Sequence, residues 1–315
     1  MKKKAAAATE RKKYNKRYKQ NERACYLMLS PQIIGFCVFT IIPLLWAVSH
    51  AWTYYDMITT RFVGMENFKI LLHDATYWKA LGTTFLYALM NMPVELPLAL
   101  ILAVLLNQKI EMKGLFRGIF YMPHVISIAL TALVFSNLFS HFGVVNALLK
   151  GARVIDVPVS WFNTKLGAMA VIVMADIWRS FGVNVMYFIS ALANIPEELY
   201  EAARIDGATT LQCFFKITLP MIMPVAQIII MLSLVGTVQI NEMILVMTNG
   251  APGGATHSVQ SYIFQNYAPG LAAGTVNVGY GCAMALVTAV ILAVITIGYM
   301  KYSNKINNNQ GGNRV

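Results

Sequence analysis

The amino-acid sequence predicts an all-α integral membrane protein with six transmembrane helices and a cytoplasmic helix–turn–helix loop between the fourth and fifth helices. Three observations lead to this fold class. The 315 residues are 57% hydrophobic and 12% charged, which is about half the charge of a soluble domain. Six segments reach the roughly 20 apolar residues that cross a bilayer. The basic residues gather in alternate connecting segments, as the positive-inside rule describes.

The six spans lie in a predicted membrane domain, residues 25–300. A basic tail, residues 1–24, precedes this domain. An Asn- and Gly-rich tail, residues 301–315, follows it and is predicted to be disordered. The spans are expected at about 25–51, 80–106, 114–138, 166–192, 219–247 and 271–300.

The distribution of Lys and Arg orients the chain. With the N-terminus in the cytoplasm, 18 of the 25 basic residues fall in cytoplasmic segments and six in outer segments, while Arg179 lies inside a span. Because cytoplasmic loops carry the excess of positive charge, both termini and the loop between spans four and five are predicted to be cytoplasmic. The basic tail fits a membrane-anchoring role better than nucleic-acid binding.

Motifs for catalysis and nucleotide binding are absent from the sequence. It contains no GxxxxGK[ST], GxGxxG or GxSxG pattern. Its four cysteines have no CxxC spacing and its five histidines form no i, i+4 pair. The chain is therefore predicted not to be an enzyme, and to hold no cofactor and no metal of its own. Any energy for its work has to come from a gradient or from a partner.

The loop at residues 194–220 is the one cytoplasmic segment that is acidic. Its first half holds four carboxylates and one arginine. Gly207 is suited to ending a helix, and Thr209 with Gln212 forms the pattern of a capping box that starts a second helix. Leu219-Pro220 is expected to end that second helix. Helices that rest on anionic lipid are normally basic, so an acidic helix here favours docking to a basic groove on another protein.

The same loop carries a recognisable motif. Glu201-Ala-Ala-x-x-Asp-Gly-Ala, with Phe214 and Ile217-Thr-Leu-Pro220, resembles the EAA loop in permease subunits of binding-protein-dependent ABC importers. The match is closest to the carbohydrate-uptake branch, the maltose- and glycerol-phosphate-type permeases. Further stretches agree along nearly the whole chain: Phe62-Val-Gly64, Asn67-Phe68, Phe116-Arg117, Tyr121-Met-Pro123, Trp178 and Thr248 to Thr256.

The resemblance implies a bacterial plasma (inner) membrane protein that forms half of a sugar translocation pathway and works by alternating access. It implies four kinds of protein and ligand partner: a second homologous permease in a heterodimer, two ATPase subunits, an extracytoplasmic solute-binding protein and the sugar. ATP and Mg would be bound by the ATPase subunits. Contact with the ATPase is assigned to seven residues of the loop: Glu201, Ala202, Ala203, Asp206, Gly207, Phe214 and Ile217.

Polar residues inside the spans are the candidates for the solute pathway, since polar groups in hydrocarbon are costly and are retained for function. Those chosen offer hydroxyls, amides, one carboxylate and one aromatic ring: Asp176, Ser180, Asn184, Tyr187, Ser233, Thr237, Gln239 and Asn241. Asp176 and Arg179 are three residues apart, so they face the solute or only neutralise each other. Both alternatives stay open at this point.

Two further questions are open from the sequence. Oligosaccharide is the favoured solute, with monosaccharide, polyol or glycerol phosphate behind it. The alternative function is an ion-coupled secondary transporter, for which Glu95, Asp176 and Glu242 would supply intramembrane carboxylates. Against that alternative stand the lack of a visible inverted repeat and an acidic docking loop for which such a carrier has no use.

Overall fold

The computed structural model describes residues 24–108, 111–268 and 276–311. The basic tail predicted over residues 1–24 therefore lies outside the described residues except for Ala24. A short antiparallel hairpin, β1 (Thr53–Tyr55) and β2 (Thr60–Phe62), joins the first two long helices. The helices are α1 (Ala24–His50), α2 (Glu66–His73), α3 (Ala75–Asn107), α4 (Lys113–Val125), α5 (Ile128–Leu138), α6 (Val144–Gly151), α7 (Lys165–Leu192), α8 (Glu197–Ile205), α9 (Thr210–Val238), α10 (Glu242–Met247), α11 (Val259–Tyr267) and α12 (Val278–Gly311).

Five helices in the described ranges, α1, α3, α7, α9 and α12, are long and apolar enough to cross a membrane. They correspond to five of the six predicted spans. Helices of at least 27 residues exceed the roughly 20 needed for 30 Å of hydrocarbon, which leaves room for tilt. The chain is therefore a multi-pass membrane protein.

The third predicted span, over 114–138, is not one continuous helix in the structure. Two helices, α4 and α5, occupy this stretch and meet at 89°. Ile126 adopts an extended conformation and ends α4, and the Ser127 hydroxyl then caps α5 by accepting from the Leu130 N–H at 3.2 Å. Hydropathy does not reveal the bend, because the residues on both sides of it are apolar.

The fifth predicted span, over 219–247, also differs from the structure. The helix begins earlier, at Thr210, and continues through a wide π turn at Phe214–Thr218. Pro220 therefore does not end a helix, because it falls in the first turn after the π turn, where its missing N–H is tolerated. The helix stops at Val238, and α10 follows after a break at 239–241.

The last helix extends further than predicted at its C-terminal end. The sixth span was expected over 271–300, whereas α12 runs from Val278 to Gly311. Residues 301–311 are thus helical where the sequence predicts a disordered tail, and residues 271–275 and 312–315 lie outside the described part. The helix therefore continues beyond its apolar segment into polar residues.

Helices α3 and α7 form the central contact of the fold and run parallel to each other. Their facing surfaces are polar, although both helices lie among apolar neighbours. Three side-chain hydrogen bonds follow the same order along both helices: Lys165 Nζ to Thr83 Oγ1 (2.8 Å), Tyr87 OH to Asp176 Oδ2 (2.5 Å) and Asn184 Nδ2 to Glu95 Oε1 (2.7 Å). Apolar clusters lie around this contact and seal it from lipid.

A buried asparagine joins the hairpin to the last long helix. Asn67 Nδ2 donates to the carbonyls of Ala51 and Thr53 at 3.0 and 2.9 Å, and Asn67 Oδ1 accepts from Asn277 at 3.3 Å. Just after Asn277, the Cα of Gly279 lies against the hairpin backbone. A Cβ at this glycine would come within 1.9 Å of the Thr53 carbonyl oxygen, so the close approach of α12 requires glycine.

We expect Gly279→Ala to lower the free energy of unfolding by about 1–3 kcal/mol, because the added methyl group forces α12 away from Thr53. Thermal unfolding of the detergent-solubilised protein, followed by circular dichroism, measures the change. Gly298→Ala is the matched control on the same helix, since a Cβ at Gly298 meets nothing within 4 Å. Equal melting temperatures for the two variants would contradict the close approach.

Candidate functional site

A cavity of about 570 Å³ opens between α7, α9 and α10, with α3, α4 and α5 contributing to its wall. All eight residues predicted for the solute pathway line this one cavity: Asp176, Ser180, Asn184, Tyr187, Ser233, Thr237, Gln239 and Asn241. Residues from two helices that are about 50 positions apart in sequence thus come together. Their role toward a solute stays a prediction, but their shared location is a structural fact.

The break between α9 and α10 supplies part of the cavity wall. The backbone leaves the helical path at 239–241, where Asn241 has φ −144° and ψ −61°. Irregular backbone at membrane depth is tolerated where it is buried in protein or lines a cavity. The carbonyl of Ile240, freed by the break, accepts a hydrogen bond of 2.5 Å from the hydroxyl of Ser258. The loop after α10 therefore satisfies the broken backbone.

Asp176 lies at the centre of a polar group that joins α3 to α7. Its Oδ2 accepts from Tyr87 OH at 2.5 Å and from Asn91 Nδ2 at 3.3 Å. Its Oδ1 is 3.4 Å from the Arg179 guanidinium. Since Asp176 and Arg179 also line the cavity, the pair neutralises charge and faces the cavity at the same time.

Four further polar or charged residues line the cavity: Glu95, His124, Arg179 and Glu242. Glu95, Arg179 and Glu242 stand out in the sequence as intramembrane charges but are not assigned there to the solute pathway, and His124 is not among the candidates. Glu95 accepts from Ser180 Oγ and from Asn184 Nδ2, each at 2.7 Å. The sequence contains a pattern that could have identified Glu95, because the polar residues Tyr87, Asn91 and Glu95 recur every fourth position and share one face of α3. His124 follows Pro123 at the bend, and no spacing in the sequence singles it out.

The aromatic candidates separate into two environments. Tyr187 lines the cavity, as predicted for a ring that could stack on a sugar. Phe181, on the same helix, instead packs edge-to-face on Phe120 with ring centroids 6.2 Å apart. Within the described ranges no three His, Cys, Asp or Glu side chains come close enough to hold a metal ion.

The acidic loop folds as α8, a tight turn and the start of α9. Gly207 has φ +76°, the left-handed conformation expected of the residue that follows a helix. The predicted capping box is present: the Gln212 N–H donates to Thr209 Oγ1 at 3.3 Å, and Gln212 Oε1 accepts from the Thr209 N–H at 2.8 Å. Tyr200 OH and Thr218 Oγ1, 2.8 Å apart, tie α8 to the π turn.

The residues predicted for ATPase contact fall into two groups, those that line a pocket and those that lie outside it. Ala203, Asp206, Gly207 and Ile217 line a pocket of about 390 Å³ between the turn and α9. Glu201 and Ala202 are exposed on α8, and Phe214 is half-buried beside Phe215. Several apolar side chains next to the pocket are also exposed: Leu199, Ile205, Leu211 and Phe215. Exposed apolar surface of this kind marks contact with another protein or with a membrane.

The loop between α10 and α11 is buried although it is rich in glycine. Thr256 and Ser258 have no exposed surface, and Gly250, with φ +83°, lies against the His257 ring. The His257 Nδ1 and the Ser261 hydroxyl are 3.2 Å apart. Burial lowers the pKa of His257 below its ordinary value, because the low-dielectric surroundings disfavour the imidazolium.

A family model for the binding-protein-dependent transport system inner membrane component matches residues 95–306. This match covers more than half of the chain, from the cavity carboxylate of α3 through the acidic loop to α12. The chain belongs to this family. The resemblance to carbohydrate-uptake permeases seen in the sequence is thereby confirmed. A permease of this family is a non-catalytic component.

Two curated relatives and one solved structure are similar to this permease. The probable ABC transporter permease protein YesP of Bacillus subtilis (strain 168) is 33% identical, and the alignment covers 93% of this chain and 94% of the relative. The arabinooligosaccharides transport system permease protein AraP of the same organism is 30% identical over 89% and 88%. A chain of the bacterial alginate ABC transporter, in complex with alginate pentasaccharide-bound periplasmic protein, shares the fold with a TM-score of 0.76 at 22% identity, covering 92% and 96%.

We expect the loop of residues 248–258 to open as the pH falls below about 6.5, the ordinary value for histidine. Because the pKa of His257 is lower in the folded protein, its contribution to stability is complete above that pH and decreases below it. Hydrogen–deuterium exchange of this loop at about pH 7.5 and pH 5.5 measures the opening.

The control for this pH dependence replaces His257, the residue to which the pH dependence is assigned. His257→Gln should make exchange in the loop independent of pH once the intrinsic exchange rate is corrected. His141→Gln changes an exposed histidine, which contacts Ser160, and should leave the pH dependence intact. Loop exchange that responds to pH equally in both variants would contradict the assignment to His257.

Proposed function

We propose that this chain is the transmembrane permease subunit of an ATP-driven importer and forms half of the translocation pathway for a sugar, with oligosaccharide as the favoured class. The observation that carries the proposal is the cavity: eight intramembrane polar residues, chosen from the sequence for this role, line one space. Its volume of about 570 Å³ lies in the range of small-molecule sites.

The nature of the cavity wall supports a polyhydroxylated solute. Hydroxyls and amides from Ser180, Asn184, Ser233, Thr237 and Gln239 can both donate and accept hydrogen bonds, as sugar hydroxyls do. The names of two similar proteins point the same way, since one transports arabinooligosaccharides and the other operates with an alginate pentasaccharide. The second half of the pathway would come from a related permease, in a heterodimer.

Six membrane crossings with both termini in the cytoplasm agree best with the helix directions. Parallel helices that both cross a membrane must be separated by an odd number of crossings, and α3 and α7 are parallel. Between them, the bent pair α4 and α5 is long and apolar enough to cross the membrane when the two helices are taken as one span. Lys and Arg are in excess in both tails and in the connections between spans two and three and between spans four and five. This excess supports a cytoplasmic location for those segments.

The acidic loop is proposed to couple this permease to one of two ATPase subunits, which would bind ATP and Mg. Its support is the combination of exposed carboxylates on α8, exposed apolar side chains and an adjoining pocket. Closure of the ATPase dimer on ATP would move α8, and the hydrogen bond between Tyr200 and Thr218 would transmit this movement to α9. An extracytoplasmic solute-binding protein would deliver the sugar.

The test of the proposed function is reconstitution of the whole transporter. The permease, its co-purifying second permease and the ATPase are placed in proteoliposomes together with the solute-binding protein and a panel of labelled saccharides. ATP-dependent accumulation of one of them is the expected result. Uptake by this chain alone, driven by a proton or sodium gradient without ATP, would instead support the ion-coupled carrier.

We expect Glu201→Lys to abolish ATP-dependent uptake, because the substitution reverses the charge of an exposed carboxylate on α8 where a basic groove is proposed to bind. The amount of ATPase that co-purifies with the permease should fall in parallel. Uptake and co-purification are measured on the same membranes, after confirming that equal amounts of permease are present.

Glu111→Lys is the matched control for this prediction. Glu111 is also an exposed carboxylate and lies on the proposed cytoplasmic side, between α3 and α4, but outside the acidic loop. It should retain uptake and the bound ATPase. If Glu201→Lys transports normally with its ATPase in place, the assignment of α8 to coupling fails.

A further inference from the structure

Glu95 connects two of the predicted solute residues through a single oxygen atom. Its Oε1 accepts from Ser180 Oγ and from Asn184 Nδ2, each at 2.7 Å. Ser180 and Asn184 are one turn apart on α7, whereas Glu95 is on α3. Only 3% of the glutamate surface is exposed, yet the residue lines the cavity. One buried acceptor thus fixes two side chains of the cavity wall.

These contacts limit what the wall can offer a solute. Ser180 has a single hydroxyl hydrogen, and both acceptors within its reach, Glu95 Oε1 and the Asp176 carbonyl, belong to the protein at 2.7 Å. With that hydrogen engaged, Ser180 can only accept from a bound molecule. Asn184 has one of its amide hydrogens engaged in the same way. Glu95 therefore determines which hydrogen-bonding groups remain free in the cavity.

The contact between α3 and α7 does not depend on Glu95 alone. Asp176 is bound separately by Tyr87 and Asn91, and Lys165 binds Thr83 further along the same pair of helices. Loss of the glutamate acceptor should leave these bonds in place. The two helices would stay together while Ser180 and Asn184 gain rotational freedom.

We propose that Glu95 is a positioning residue of the solute cavity: its carboxylate oxygen holds Ser180 and Asn184 in the orientation that receives the solute. The inference rests on the proposed transport function, and it adds a residue of α3 to a site built from α7 and α9. The property required of residue 95 is a buried hydrogen-bond acceptor at Oε1 and not its negative charge.

Two substitutions separate the acceptor from the charge. Glu95→Gln keeps an acceptor oxygen in nearly the same place, and Glu95→Leu removes it at similar volume. In the reconstituted transporter, Glu95→Gln should keep the KM for sugar within about twofold of the wild type. Glu95→Leu should raise the KM about tenfold, which corresponds to a loss of roughly one net hydrogen bond in the binding of the sugar, with a smaller change in the maximal rate.

Gln227→Leu is the control for the loss of a buried interhelical hydrogen bond. Gln227 is buried and does not line the cavity; its side-chain Oε1 accepts from the Ser303 hydroxyl of α12, while its backbone carbonyl, which the substitution leaves in place, accepts from Tyr299 OH. It should lower thermal stability without raising the KM. If Gln227→Leu raises the KM as much as Glu95→Leu, or if Glu95→Gln behaves like Glu95→Leu, positioning by the Glu95 acceptor is overturned.

A second measurement tests the positioning without using transport. In protein with ¹⁵N-labelled asparagine, the side-chain amide signal of Asn184 is identified by its loss in Asn184→Ala. Exchange of this amide with water should be slow in the wild type and Glu95→Gln, and at least about tenfold faster in Glu95→Leu. Equal exchange in all three overturns the inference, whereas slow exchange in a chain that transports no sugar would refute the proposed function alone.

Discussion

A buried carboxylate without a partner in hydrocarbon costs several kcal/mol, and two carboxylates lie on the facing surfaces of α3 and α7. Glu95 and Asp176 each find their partners on the other helix or within one turn of their own. The mutual satisfaction of these groups holds the two helices in parallel. These side chains also make the cavity surface polar, because they lie in the contact between α3 and α7 and at the same time line the cavity.

The other wall of the cavity depends on a broken helix. The break at 239–241 leaves backbone groups without helical hydrogen bonds, and the Ser258 hydroxyl satisfies one of them by donating to the Ile240 carbonyl. The loop that supplies Ser258 is itself held by buried threonines and by a histidine packed on glycine. The hydrogen-bonded loop of residues 248–258 thus supports the polar, irregular wall next to α7.

Much of the fold could be predicted from the sequence, since hydropathy over about 20 residues decides whether a helix can cross a bilayer. The eight cavity residues could be predicted for the same reason: a polar side chain such as Asn184 or Gln239 is conspicuous in an apolar segment. The bend at Ile126 and the break before Glu242 could not, because apolar residues resume beyond both and hydropathy averaged over a whole span does not register a local interruption. The role of Glu95 depends on which helix faces α3, and single-sequence spacing does not contain that information.

The fourfold spacing of the polar residues on α3 and α7 has a consequence for how the molecule can move. Because Tyr87 and Asn91 both bind Asp176 while Glu95 binds Ser180 and Asn184, sliding one helix along the other by a substantial part of a turn of about 5.4 Å would break these bonds together. The two helices are therefore confined to one register. They must move together as one rigid body. Any rearrangement that opens the cavity to one side or the other therefore has to occur at hinges next to this pair, namely the 89° bend between α4 and α5 and the interruption after Val238.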